Sequence, residues 1–156
     1  MTPRDFINQI FLAEYAQIVP QHAYISFALI GIGIEFLGAC LDSSPFAQTG
    51  LSRKRVRNAI QSLFPNKYHS FTDELAIDLR NGFAHQFRPG RKLELSQRSE
   101  GPGKRWQHLG RTSDGRLCLF IEDFYDDFAH ACRVVINKID VGHLRQSKLM
   151  GDYLRV

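Results

Sequence analysis

The sequence predicts a mainly α-helical, single-domain fold over residues 1–156, and three observations predict it. Apolar residues recur at helical spacing in four separate stretches. A fifth stretch, residues 21–41, is apolar almost all round, as expected of a helix in the middle of a bundle. Capping and acidic residues precede these stretches and prolines follow several of them. A chain of 156 residues can bury a core without metal or disulfide help.

The elements follow in order. Thr2 suits an N-cap and Pro3 the first helical position. Phe6, Ile7, Ile10, Phe11, Ala13 and Ile18 then mark a helix over about 3–18, stopped by Pro20. In the second helix, Gly31, Gly33 and Gly38 each cost about 1 kcal/mol relative to Ala but let neighbours approach closely. Its length barely reaches across a bilayer, and Glu35 inside such a span would cost a few kcal/mol. A buried central helix, and no membrane contact, is the expectation. After the turn formers of 42–51, Ser52 is expected to cap a third helix over 53–63. Val56, Ala59, Ile60 and Leu63 face inward, and Arg53, Lys54, Arg55 and Arg57 face outward.

Thr72 is expected to cap a fourth helix, with Asp73 and Glu74 matching its dipole and Leu75, Ala76, Leu79 and Phe83 on its buried stripe. It must end before Pro89-Gly90. The texture then becomes β. Residues 92–96 alternate, 99–103 read as a turn, 106–111 as a short strand, 112–115 as another turn and 116–121 as a strong strand. The expectation is a small antiparallel meander, about 91–121, inserted before a fifth helix at 122–139. Glu122, Asp123, Asp126 and Asp127 load the start of that helix, and Phe124, Phe128, Ala131, Val135, Ile136 and Ile139 mark its buried face. In the last sixteen residues Leu144, Leu149, Tyr153 and Leu154 are expected to pack on the bundle.

Composition narrows the function classes. Hydrophobic residues make up 44% and charged residues 23%, the balance of a soluble globular protein. Twenty Lys and Arg against sixteen Asp and Glu give a net charge of +4, which permits an anionic partner without demanding one. The segment 88–116 is the most basic, with eight Lys/Arg against Glu94, Glu100 and Asp114. Cys40, Cys118 and Cys132 are odd in number and lack CxxC spacing, which fits free thiols in a reducing cytoplasm. The first residues lack the basic-then-apolar pattern of a signal peptide. Metal-ligand spacing, a P-loop, a dinucleotide fingerprint and GxSxG are missing from the sequence, so no metal and no cofactor is expected.

The chemistry concentrates in residues 78–87. Asn81 and His85, four apart, share a helix face, with Asp78 on the same side. Arg80 lies about 140° from His85 at 100° per residue. Arg80 and His85 converge only if the helix loosens after Gly82 or if a second copy supplies the missing group. Arginine binds phosphate bidentately and stabilises charge building on it. Histidine moves protons near neutral pH. Together they suit metal-free cleavage of RNA by attack of the 2′-OH on its own phosphate. The plainer alternative is a surface arginine and a histidine set against the helix C-terminal dipole. Glu35 either orients Arg80 or sits exposed at a helix edge. Arg53, Lys54, Arg57, Arg88, Arg91, Lys104 and Arg105 are candidates for an RNA track or a merely solvated face. Trp106 and His108 are candidates for stacking on unpaired bases.

Arg80-Asn81-Gly82-Phe83-Ala84-His85, late in a small helical bundle, resembles the Rx4-6H signature of HEPN domains. The likeness covers about residues 3–87 and 122–139, with the β meander as an insertion. It implies a HEPN-like bundle of about five helices. It also implies a metal-independent endoribonuclease of toxin, phage-defence or RNA-processing type, with Arg80, Asn81 and His85 catalytic and Glu35 and Asp78 supporting. Such domains typically form homodimers with the motif at the shared interface, and some have antitoxin partners. A non-catalytic module binding RNA, nucleotide or protein is the alternative. One toxin branch, paired with nucleotidyltransferase antitoxins, resembles Rx4HxY. Phe87 stands at its tyrosine position, a departure that sets this chain apart from that branch.

Overall fold

A computed structural model describes residues 1–98 and 106–144. Helices account for most of it. The first, α1, covers residues 3–18, with a widened π-type stretch at Ile7–Glu14. The second, α2, is Ala23–Leu41, and α3 is Ser52–Leu63. A 3-10 segment, Asn66–Phe71, leads into α4, residues 74–86, whose first part, Glu74–Asn81, is again π-type and whose second part, Gly82–Gln86, is regular α. The last helix, α5, is Ile121–Asp140. Strands β1 (Leu93–Ser96) and β2 (Leu117–Phe120) stand between α4 and α5.

The start of α1 is set locally. The Asp5 N–H donates to Thr2 Oγ1 at 3.2 Å, and the Thr2 N–H donates back to Asp5 Oδ2 at 3.2 Å, closing a capping box with Pro3 inside it. In the π-type stretch the carbonyls of Phe11 and Leu12 both accept from the Tyr125 hydroxyl, at 3.2 and 3.3 Å, tying α1 to α5.

Helix α2 is the centre of the bundle and packs on α3, α4 and α5. It is long and apolar enough to span a membrane by length and composition, but 67% of its most apolar window is buried within the fold, as in a core helix. Gly38 permits the α2–α3 crossing: a Cβ there would lie 2.0 Å from the carbonyl oxygen of Arg55. Ile30, Ile34, Leu37, Leu79, Phe124 and Phe128 are essentially inaccessible and join one core.

Two expected caps are replaced. Ser52 opens α3, but its hydroxyl donates to Glu35 and does not cap the helix. Helix α4 grows out of the 3-10 segment with no side-chain cap, and Thr72, already helical, does not cap it. Arg55 is not on the outer face. It is 2% exposed, and its guanidinium donates to Asp42 Oδ2 and to the carbonyls of Pro45 and Phe46 at 2.7–2.9 Å, stapling the 42–51 loop. A buried cation survives because its donors are matched.

The β region also departs from the expectation. β1 pairs with β2 in parallel, Leu93 opposite Leu117 and Ser96 opposite Phe120. The expected strand at 106–111 is reduced to one antiparallel bridge, Arg111 with Leu117. The spatial order explains both findings. β2 lies between β1 and residues 109–112, which bond its other edge through Leu109 N–H to the Cys118 carbonyl and Cys118 N–H to the Gly110 carbonyl. Leu117, Cys118 and Leu119 are wholly buried, so this most apolar run takes the central position. The polar 106–111 segment is left at an edge. Leu144 packs on the core, whereas Leu149, Tyr153 and Leu154, like the turn expected at 99–103, lie outside the described residues.

Candidate functional site

Helix α4 places Arg80, Asn81 and His85 near its end. The Arg80 guanidinium is fixed by its neighbours: its Nε donates to Glu35 Oε2 on α2, and its Nη1 donates to Asn81 Oδ1 at 3.0 Å. The other Glu35 oxygen, Oε1, accepts from the Ser52 hydroxyl at 2.7 Å. A relay therefore runs from the start of α3 through α2 to α4. The Arg80 and Glu35 side chains are only 19% and 17% exposed, so their attraction is less screened than that of a surface pair. Glu35 is thus an orienting partner of Arg80 and not an exposed edge carboxylate.

Arg80 and Glu35 border a cavity of about 250 Å³ whose remaining wall includes Ile32, Phe36 and Phe46. The rings of Phe36 and Phe46 stack at 5.3 Å. One side of the guanidinium is held by the protein and the other side borders this open cavity.

His85 is exposed and has no hydrogen-bond or ion-pair partner among the described residues. Residues 82–86 form regular α-helix, so the helix does not loosen after Gly82. Gly82 serves another purpose: a Cβ there would lie 2.6 Å from the Arg88 carbonyl, so its absence lets the returning 88–90 strand of chain lie against the helix. The widening lies upstream, at Glu74–Asn81, and π-type turns often mark functional positions. Asn81 provides the link. It shares a face with His85 one turn on and accepts from Arg80.

Asp78 stands apart from this chemistry. Its carbonyl accepts from the Gly90 N–H at 2.7 Å, and its carboxylate lies against the Lys92 N–H at 3.5 Å. It anchors the 88–92 return. Phe87 ends the helix in the left-handed region, φ 54°, and is 63% exposed; its carbonyl accepts from the Tyr24 hydroxyl at 3.0 Å.

Of the candidate RNA track, Arg53 and Arg57 both donate to Asp73 Oδ1, at 3.0 and 2.8 Å, and together hold its carboxyl below the usual carboxylate range. Lys54 and Arg91 are exposed, and Arg88 Nε donates to Gln86. Lys104 and Arg105 lie outside the described residues. No group of three or more potential metal ligands occurs among the described residues.

A second polar constellation was not foreseen as such. The Phe120 N–H donates to His108 Nδ1 at 3.0 Å. That leaves the ring proton on Nε2, which lies 2.7 Å from the Tyr68 oxygen, and the Tyr68 hydroxyl donates to Asp127 Oδ2 at 2.8 Å. Lys67 completes the chain on the same carboxylate oxygen at 2.8 Å. Burial lowers the His108 pKa to about 4 and raises that of Tyr68. Only the residue types Tyr, His and Asp hinted at this network, since their sequence separations of 40 and 59 carry no local signal.

Comparison with family models, with curated proteins and with solved structures found no match to this chain.

Proposed function

We propose that this chain is a HEPN-type, metal-independent endoribonuclease that works as a cytoplasmic homodimer. The observation that carries the proposal is the Arg80 guanidinium held between Glu35 and Asn81, with Asn81 on the face that also bears the exposed His85. In this reading the scissile phosphate sits on Arg80. His85 takes the proton of the 2′-OH as its oxygen bonds to phosphorus. The bond from phosphorus to the 5′ oxygen then breaks, and that oxygen takes a proton, leaving a 2′,3′-cyclic phosphate and a 5′-hydroxyl. Arg80 stabilises the charge on the pentacoordinate phosphorus oxygens.

One imidazole serves poorly as base and acid in the same step, so the second proton comes from His85 of a second copy. The surroundings suit such an interface. Ile32, Ile77 and Phe87 are large, apolar and exposed, and they flank the motif along α2 and α4. Tyr24 and Phe87, with ring centroids 6.5 Å apart, form an exposed apolar rim of the kind that protein partners cover. The same rim supports a second reading, a non-catalytic module that binds RNA or a protein partner.

Incubation of the purified protein with RNA in EDTA separates the two. Cleavage that ends in a cyclic phosphate and stops at a 2′-deoxy position is the expected result. RNA that binds with a marked salt dependence but stays intact would establish the second reading.

A further inference from the structure

A cavity of about 380 Å³ lies away from Arg80, between the 3-10 segment, the β region and the start of α5. Among the described residues its lining holds two large aromatics, Trp106 and Phe120, two cations, Lys67 and Arg98, and a carboxylate, Asp123. His108 also faces it, but both ring nitrogens are already bonded, to Tyr68 and to the Phe120 N–H. His108 therefore contributes a wall and no proton chemistry.

Three parts of this lining match three parts of one molecule. An indole face stacks a nucleobase, with base–aromatic stacking worth about 1–3 kcal/mol. A carboxylate accepts from ribose hydroxyls. Lysine and arginine take a phosphate. In the unliganded protein Lys67 pairs with Asp127 and Arg98 with Asp123. Both cations are more than half exposed, and exposed pairs are worth little. Each cation also carries more donors than its pair uses, three on the ammonium and five on the guanidinium. A phosphate can take the donors that these pairs leave free. As it draws Arg98 away, the Asp123 carboxylate is released to the ribose.

We propose that this cavity binds one ribonucleotide unit, with its base on Trp106, its ribose on Asp123 and its phosphate between Lys67 and Arg98. The unit is either a free nucleotide or one residue of a single strand. The proposal does not rest on the nuclease reading, because no residue of the Arg80–His85 site lines the cavity.

The chain contains one tryptophan, so fluorescence excited selectively at the indole, beyond the tyrosine absorption band, reports on this cavity. Titration of the full chain with AMP should give a saturable change. Adenosine and inorganic phosphate should each bind about tenfold more weakly or worse, and dAMP more weakly than AMP. Lys67→Ala with Arg98→Ala should raise the AMP dissociation constant by about tenfold. Arg98→Gln, which removes only an exposed pair, should weaken binding with an unchanged melting temperature.

His85→Ala should leave AMP binding intact, and in that variant a single-stranded oligoribonucleotide can be titrated without cleavage. Tighter binding of the oligonucleotide than of AMP identifies the occupant as a strand residue, and the reverse order identifies it as a free nucleotide. Absence of any saturable change at millimolar AMP and oligonucleotide overturns the proposal. So does a change that the charge-removing variants leave unaltered.

Discussion

His85 and His108 carry the same ring in opposite surroundings. His108 is half-buried, bonded at both nitrogens and pushed down to a pKa of about 4. His85 is exposed at a helix end with no partner among the described residues. Full hydrogen bonding turns an imidazole into a fixed spacer, while exposure leaves the other ring without a partner among the described residues. The same contrast separates two arginines. Arg55 spends its guanidinium on Asp42, Pro45 and Phe46 and builds a loop. Among the described residues Arg80 is braced by only two side chains, Glu35 and Asn81, on the wall of a cavity that Arg55 also lines. Residues of one type thus differ in the bonding capacity that their surroundings leave them.

The largest effects should come from breaking the exposed side of this contrast. Arg80→Ala should lower RNA cleavage by about a thousandfold, the loss typical of removing a group that stabilises developing charge. His85→Ala should lower it by at least about a hundredfold, with a melting temperature close to that of the parent because the side chain is exposed. Full activity in either variant removes that residue from the mechanism.

Breaking the buried side should do the reverse. Tyr68→Phe deletes the hydroxyl between His108 and Asp127 and should cost about 1–3 kcal/mol of stability, measured by urea unfolding. Cleavage per folded molecule should be retained. Lost cleavage at retained stability would show that the network reaches the site.

How far these differences were legible depends on their range. The capping box at Thr2 and the helical stripes are local, and they formed where the spacing put them. The pairing of Glu35 with Arg80 was one of two open readings, and the need of a carboxylate in an apolar helix for a partner favours the one the fold adopts. The parallel sense of the sheet was not read, because it depends on which strand takes the centre. The signal was present in the unbroken apolar run of Leu117, Cys118 and Leu119. Arg55 was misread because its three acceptors lie on a loop whose path helical periodicity does not specify.

A smaller effect follows from acid. The His108 pKa, about 4 in the fold, lies below the value of about 6.5 for an unperturbed imidazole. Between these values the unfolded chain binds the extra proton, so stability is full above about pH 6.5 and declines as pH falls toward 4. Denaturant unfolding at stepped pH should follow this decline, and His108→Gln should flatten it. An equally steep profile in the variant would assign the acid sensitivity to other groups.

The smallest effect tests the basic face of α3. Asp73 accepts from both Arg53 and Arg57, so two of its cations are held by one carboxylate. All three side chains are about half exposed, so Asp73→Asn should barely move the melting temperature. If RNA crosses this face, freeing both guanidinium groups should raise RNA affinity a few-fold. It should also steepen the fall of affinity with salt, because more counterions are displaced from the strand. An unchanged salt slope would make the cluster a solvated face and leave Arg80, braced but bordering its cavity, as the cation that meets the strand.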